Sequence, residues 1–86
     1  MTEKLIGYVS QYFARIGVTA IELTDTLKVG DTICIRGATT DFQQQVTSME
    51  EDHAPIQVAE KGHSVGVRVG ERTRRRDQIY LVVSEE

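Results

Sequence analysis

The sequence has no tryptophan, one proline and one cysteine. Cys34 is the single cysteine, so the chain can form no internal disulfide, and a chain of 86 residues must depend on packing for its stability. With only one proline and 40% hydrophobic residues, the composition excludes a disordered protein. Aromatic residues are limited to three Tyr and two Phe. The core is therefore expected to consist mainly of Val, Ile and Leu, which favour strands.

Long apolar runs are also missing. No segment approaches the roughly 18 apolar residues that a membrane helix needs. The first residues, Met1 to Ile6, lack the apolar centre of a secretion signal. A lone cysteine is typical of reducing compartments. We therefore expect a cytoplasmic protein with no membrane partner, folded as a single domain over residues 1–86.

Basic residues are the minority of the charged residues. Ten Lys and Arg stand against thirteen Asp and Glu, which gives a net charge of −3. This balance argues against a protein that holds nucleic acid through a general excess of positive charge. The distribution is uneven, however, because Arg72, Arg74, Arg75 and Arg76 lie close together in the sequence.

Apolar and polar residues alternate in short segments that are separated by glycine or by loop residues. This period of two is typical of half-buried strands. The predicted strands are 4–13, 18–24, 32–36, 42–51, 64–69 and 78–83. The first two form a hairpin, and no segment is convincingly helical. The pattern predicts an all-β fold, specifically a small closed β-barrel of about six strands, in which closure removes the exposed sheet edges.

Segment 42–51 is the ambiguous one. Phe42, Val46 and Met49 follow one another at spacings of four and three, which also suit a helix. We favour a strand with a bulge that returns Met49 to the interior.

Three glycines and one loop carry local predictions. Gly7 is expected at a bulge or at a close approach of two backbones. Gly30 and Gly62 are each expected to have a positive φ in a tight turn. Residues 53–56 are expected to interrupt the strand pattern.

Two blocks of the sequence carry a resemblance. Residues 27–37 read Leu-Lys-Val-Gly-Asp-Thr-Ile-Cys-Ile-Arg-Gly, and residues 59–70 read Ala-Glu-Lys-Gly-His-Ser-Val-Gly-Val-Arg-Val-Gly. Together they resemble the second domain of translational GTPases, of the elongation factor Tu and elongation factor 1-alpha type, and the short translation elongation factor-like proteins. The resemblance implies a barrel without catalysis, because those factors carry their catalysis in another domain. Such a barrel is also similar to one appended to some collagenase-like peptidases that act with RNA-modifying systems.

Residues suited to catalysis or metal binding are not brought together by any motif. The sequence has no Gly-x-x-x-x-Gly-Lys-Ser/Thr run for a nucleotide. Cys34 lacks the surroundings of a cysteine enzyme, and we expect it to be accessible but unreactive on the outward face of its strand. His53 and His63 lie near acidic residues, but their spacing fits no zinc motif. We therefore expect no catalytic residue, no metal site and no cofactor.

The arginine run is the best candidate for a binding site. Arginine holds phosphate through a planar fork of donors, so four of them on one loop would form an anion site. Arg68 is expected nearby on the outward face, and Tyr80 could stack on a base. In the opposing interpretation the run is a solvated loop, paired with Glu71 and Asp77.

These observations leave two main functions open. The first is a non-enzymatic module that binds RNA or a ribonucleoprotein partner in translation or RNA modification, which the arginine run and the resemblance favour. The second is a barrel that docks on another protein, an enzyme subunit, without contacting nucleic acid, which the net charge of −3 favours. A metal-binding or small-anion-binding domain is a third interpretation.

Overall fold

Residues 2–83 are described by the computed structural model, and their regular structure consists of strands alone. The strands are β1 Thr2–Phe13, β2 Val18–Leu23, β3 Leu27–Lys28, β4 Thr32–Arg36, β5 Asp41–Gln45, β6 Met49–Glu51, β7 Ala54–Ile56, β8 Val58–Ala59, β9 Ser64–Arg68 and β10 Gln78–Val83. The all-β prediction is confirmed. The described residues include no helix of the length and apolarity needed to cross a membrane.

Eight of these strands form one sheet, in the order β5-β4-β10-β1-β2-β9-β6-β7, and β3 pairs with β8 separately. The long strand β1 lies near the middle of this order. It pairs with β10 along its first part and with β2 along its second part, antiparallel in both cases. The predicted hairpin of the first two strands is confirmed by the pairing of Phe13 with Val18.

The prediction of a closed barrel of about six strands is not confirmed. Within residues 2–83, β5 and β7 end the sheet order and have no further strand beside them, so strand pairing does not close the sheet. A side chain links β5 to the end of β9 instead. Gln44 Nε2 donates to the carbonyl of Arg68 at 2.9 Å, and the backbone N–H of Gly70 donates to Gln44 Oε1 at 2.9 Å. The side-chain amide of Gln44 thus forms the two hydrogen bonds that a backbone peptide group would form in a paired strand. β5 itself is only five residues long.

The break between β5 and β6 explains the helix-like spacing in segment 42–51. The predicted strand is present, but residues 46–48 interrupt it, and β6 pairs with β9 and β7 instead of β4. Val46 and Met49 are both buried. The backbone of Val46 is held on the Gly30 turn, because its carbonyl accepts from the Gly30 N–H and its own N–H donates to Asp31, each at 2.8 Å. The spacing of three between Val46 and Met49 therefore reflects a corner of the chain between β5 and β6, at which both side chains enter the core.

The prediction that residues 53–56 interrupt the strand pattern is wrong. Asp52 and His53 have φ values of 52° and 64°, which suits the two-residue turn of a β-hairpin, and β7 follows directly. Pro55 lies within β7 and pairs with Glu50. A proline is tolerated there because β7 is the edge strand of the sheet, where no donor is needed on the outer side.

The core is built from alternating apolar side chains, as the period of two predicts. Ile33 and Ile35 on β4 are fully buried, while Thr32 and Arg36 are partly exposed. The buried set consists of Ile6, Val9, Ile21, Leu23, Leu27, Ile33, Ile35, Val46, Met49, Ala59, Val65, Val67, Val69 and Ile79. Burial of each large aliphatic side chain contributes about 1.5–3 kcal/mol, which makes this cluster the main source of stability.

The glycine predictions are confirmed. The register of β1 on β10 shifts between Leu5 and Gly7, and a Cβ added at Gly7 would lie 2.5 Å from the carbonyl oxygen of Glu22. Gly7 is therefore both a bulge and a close approach. Gly30 and Gly62 have φ values of 100° and 90°, a region that residues with a Cβ rarely adopt.

Gly37, at the end of β4, allows the loop before β10 to approach closely, and its substitution gives a test of the fold. A Cβ at Gly37 would lie 1.8 Å from Asp77 Oδ1. Asp77 is buried, and its carboxylate accepts the backbone N–H of Arg74 at 2.8 Å, so it cannot simply move away. We expect Gly37→Ala to lower the free energy of unfolding by about 1–3 kcal/mol, measured by urea denaturation.

Gly70→Ala is the matched control for this substitution. A Cβ added at Gly70 has its nearest neighbour, Gln44 Oε1, at 4.0 Å, and the residue lacks a positive φ. It should change stability much less. Equal stabilities of the two variants would contradict the close packing of Gly37 on Asp77.

Candidate functional site

The run Arg72, Arg74, Arg75 and Arg76 lies on a fixed loop, residues 71–77, which we call the arginine loop. Thr73 is buried beneath it, with its hydroxyl 2.9 Å from the hydroxyl of the equally buried Thr19 on β2. Asp77 closes the loop by accepting the N–H of Arg74. Thr73 and Asp77 are buried, and the four arginines that lie before and between them are all exposed.

Two further hydrogen bonds hold the arginine loop on β1. The N–H of Arg76 donates to the carbonyl of Val9 at 2.9 Å, and Arg75 Nε donates to the carbonyl of Ser10 at 3.0 Å. Arg76 has a φ of 73°, which is unusual for a residue with a side chain. Neither Glu71 nor Asp77 forms an ion pair with the four arginines, nor does any other carboxylate among residues 2–83. The positive charge of the loop is therefore available to a ligand.

Arg68 and Tyr80 are not part of this cluster. Arg68 ends β9 and lines a separate depression with Gln44 and Gly70. Tyr80 lies on β10, and neither residue lines the two depressions beside the arginine loop. The guanidinium of Arg36 lies 5.6 Å from the centre of the Tyr80 ring, and the Tyr80 hydroxyl donates to Gln78 at 2.8 Å. One face of the ring is thus already covered by a cation. Of the six residues predicted to bind an anion, the structure brings together the four of the arginine loop.

Cys34 faces away from the core, as predicted, but it is not accessible. Its exposed fraction is 2%, and its Sγ lies 3.5 Å from a carboxylate oxygen of Glu3 and 3.4 Å from Gln43 Oε1. Burial, followed by the hydrogen bond to the Glu3 carboxylate, raises the pKa of the Cys34 thiol. The prediction of accessibility is wrong because polar side chains from β1 and β5 cover the thiol.

The buried thiol gives a prediction about reactivity. Since the thiolate is the reactive form, the folded chain should be modified slowly by a thiol reagent near pH 8, and much faster once unfolded in urea. Glu3→Gln should speed up the reaction, because it removes a negative charge from the thiol. Modification of the folded chain at the rate of the unfolded chain would contradict this arrangement.

Neither histidine is among the side-chain contacts of Cys34, which are Glu3 and Gln43. His63 Nδ1 lies 2.6 Å from Glu51 Oε2, and this carboxylate raises the pKa of His63 through its hydrogen bond and its charge. His53 lies in the exposed turn between β6 and β7. Among residues 2–83, no three His, Cys, Asp or Glu side chains converge as a metal site would require.

The pair of His63 and Glu51 predicts a pH dependence of stability. The folded state has the higher pKa, so the pair stabilises the fold below the unfolded pKa of about 6.5 and loses this contribution as pH rises through the folded value. Glu51→Gln should lower Tm more at about pH 5.5 than at about pH 8.5, and the pKa of His63 measured by NMR should fall. An equal loss of Tm at both pH values would contradict the pairing.

An apolar groove of about 350 Å³ crosses the outer face of β2 and β9. One wall is formed by Phe13, Ile16 and Val18, at the closed end of the first hairpin. The side chains of Phe13 and Ile16 are 42% and 59% exposed. Exposed apolar side chains that lie side by side indicate an interaction surface more strongly than scattered ones do.

The floor and the second wall give the groove its depth. The floor consists of the small residues Ala20, Ser64 and Gly66, and the second wall includes Asp52 and His53 of the hairpin turn. This site could not be predicted from the sequence, because its residues come from three separate segments, 13–20, 50–53 and 64–66. One signal was present: Ile16 is an apolar residue at a turn, where a polar residue is usual.

The sequence matches no protein-family model. It is 40% identical over 78 residues to an uncharacterized protease of Methanocaldococcus jannaschii, and 32% identical over 77 residues to a collagenase of Porphyromonas gingivalis. These matches cover 90% and 87% of this chain but 19% and 21% of the relatives. The chain therefore spans about a fifth of the length of the curated relatives that it matches.

Solved structures share the fold. The C-terminal domain of a Geobacillus thermoleovorans protein described as a U32 peptidase superposes with a TM-score of 0.87 at 14% identity, over 93% of both chains. The selenomethionine form of that domain superposes with a TM-score of 0.85 at 15% identity, over 88% of this chain and 96% of the other. At these identities the likeness concerns the fold alone.

The resemblance to the second domain of translational GTPases is therefore wrong. The relatives are named as a protease and a collagenase, and the structural neighbours are C-terminal domains of a protein described as a U32 peptidase. The two blocks that carried the resemblance consist of turn glycines and alternating β-branched residues, which reflect sheet geometry. The likeness to a barrel appended to collagenase-like peptidases is the part that the relatives favour.

The functions predicted from the sequence are corrected in the same way. An elongation factor-like, RNA-binding module is contradicted, since the relatives are named as proteolytic enzymes. A separate barrel that docks on an enzyme subunit gains no support, because the relatives carry the matching segment within the chain that is named as the protease or collagenase.

Proposed function

We propose that this chain is a noncatalytic β-domain of the U32 peptidase type, and that its groove holds unfolded polypeptide on behalf of a proteolytic unit. The observation that carries the proposal is the match at 40% identity between 90% of the chain and 19% of a protease. Four fifths of that relative lie outside the match and leave ample room for a catalytic unit.

The side chains of residues 2–83 support a noncatalytic role. Proteolysis needs a nucleophile beside a base, or a metal that activates water. The side-chain contacts of Cys34 are Glu3 and Gln43, the thiol is buried, and its pKa is raised. These properties disfavour a thiolate nucleophile. Folding as a single domain over residues 1–86 and a cytoplasmic location belong to the same proposal.

The shape of the groove supports polypeptide as its ligand. An extended chain projects side chains alternately to either side, so it fits a channel with a low floor and raised walls. Ala20 and Gly66 keep the floor low, and Ile16 and Phe13 offer apolar surface to a side chain of the ligand. Unfolded protein exposes such side chains, whereas most folded surfaces do not.

The proposal predicts that the chain binds denatured protein without cleaving it. Fluorescein-labelled gelatin should bind, as measured by anisotropy, and should stay intact on a gel after prolonged incubation. Ile16→Asp should weaken binding about tenfold, because it replaces apolar contact worth about 1–2 kcal/mol by a charge that must be desolvated.

Val58→Asp is the matched control for Ile16→Asp. Val58 lies on β8, outside the groove, and is 51% exposed, so the substitution adds the same charge at a similarly exposed site. It should leave binding unchanged. Cleavage of gelatin by the purified chain would contradict the noncatalytic role, and equal effects of the two substitutions would contradict the groove.

A further inference from the structure

The floor of the groove continues across the sheet to the arginine loop. Ala20 on β2 pairs with Gly66 on β9, and Gly66 pairs with Glu50 on β6. On the other side, the hydroxyl of Ser10 donates to the carbonyl of Ala20 at 3.2 Å, and the carbonyl of Ser10 accepts from Arg75. A single path therefore runs across four strands, from a basic end to an acidic end.

On β1 the exposed Gln11 pairs with Ala20, but on β2 and β9 this path carries no large side chain. Ala20 and Gly66 are the two paired residues there, and a Cβ at Gly66 would already lie 3.2 Å from Val18 Cγ1. In the neighbouring row, Glu22 accepts a hydrogen bond of 3.2 Å from the hydroxyl of Ser64, and it also lines the depression beside Arg75 and Arg76. A ligand backbone can thus lie close to the sheet over β2 and β9, between the two charged ends.

The charges at the two ends are opposite, and both are exposed. Arg75 and Arg76 lie at one end, and Glu50 and Asp52 lie at the other. Among residues 2–83, none of these four takes part in an ion pair. A ligand with one kind of charge throughout would be attracted at one end and repelled at the other.

We infer that this face binds an extended polypeptide that carries a carboxylate at one end and a cationic side chain at the other, with small or apolar residues between them. The inference rests on the proposed function. Strands about 4.8 Å apart place the ends of the four-strand path roughly 15–20 Å apart, a distance that five or six extended residues span at about 3.3 Å each. Arg75 and Arg76 receive the carboxylate, and Glu50 and Asp52 receive the cation.

Three labelled peptides test the inference on the intact chain. Each carries two charged residues separated by four Ala and Leu residues: one aspartate and one lysine, two aspartates, or two lysines. We expect the mixed peptide to bind at least about tenfold more tightly than the other two at low salt, measured by anisotropy. Glu50→Lys should shift the preference to the peptide with two aspartates.

Glu60→Lys supplies the control for net charge. Glu60 is exposed and lines a different depression, with Val58 and His63, so the substitution changes the same charge away from the path. It should leave the preference for the mixed peptide unchanged. An effect equal to that of Glu50→Lys would show that binding follows net charge alone, and would overturn the inference.

The remaining outcomes separate the inference from the proposed function. If the three peptides bind equally, and Ile16→Asp weakens each of them, the charged ends play no part and the inference fails while the groove stands. If neither the peptides nor gelatin binds, both fail. Peptide binding that Glu50→Lys redirects supports both.

Discussion

The strand β1 has to pair with two neighbours while it curves around a core of aliphatic side chains, and much of the structure depends on how it does so. Its register shifts between Leu5 and Gly7 on the β10 side, and between Val9 and Gln11 on the β2 side. A bulge adds a residue and increases the local twist, which lets one strand serve both partners. At the second shift, the carbonyls of Val9 and Ser10 accept hydrogen bonds from the arginine loop.

The position of the arginine loop follows from this constraint and from one buried carboxylate. Val9 also donates its N–H to the carbonyl of Asp77 at 2.8 Å, so β1 continues to pair where β10 has not yet begun. Asp77 in turn needs the space that Gly37 leaves open. A buried polar group is stable only when it is hydrogen-bonded, and this one is satisfied by the loop that it closes. The arginines are exposed because the loop is anchored by the buried residues next to them, Thr73 and Asp77.

Local pattern predicted much of the fold and little of the site. The strand Thr32–Arg36 and the positive φ of Gly30 follow from alternation and turn chemistry, which act over a few residues. The break after β5 could not be predicted this way, because a corner that buries both Val46 and Met49 has the same spacing as a helix. Cys34 was placed on the correct face, but its cover comes from Glu3, 31 residues away in sequence. Such contacts depend on strand order, which alternation does not encode.

The difference between short-range patterns and contacts set by strand order also explains why the blocks around Gly30 and Gly62 indicate a fold more clearly than a function. Their glycines provide turns, and their alternating residues fill the core, so unrelated sheets with the same corners need the same pattern. Function depends on outward side chains, which the core does not constrain. In this chain the outward face pairs Ala20 with Gly66, so that only small residues lie between the acidic hairpin turn and β1, the strand on which the arginine loop is held. Neither residue is notable in the sequence, and only the pairing of β2 with β9 makes them the floor of a common surface.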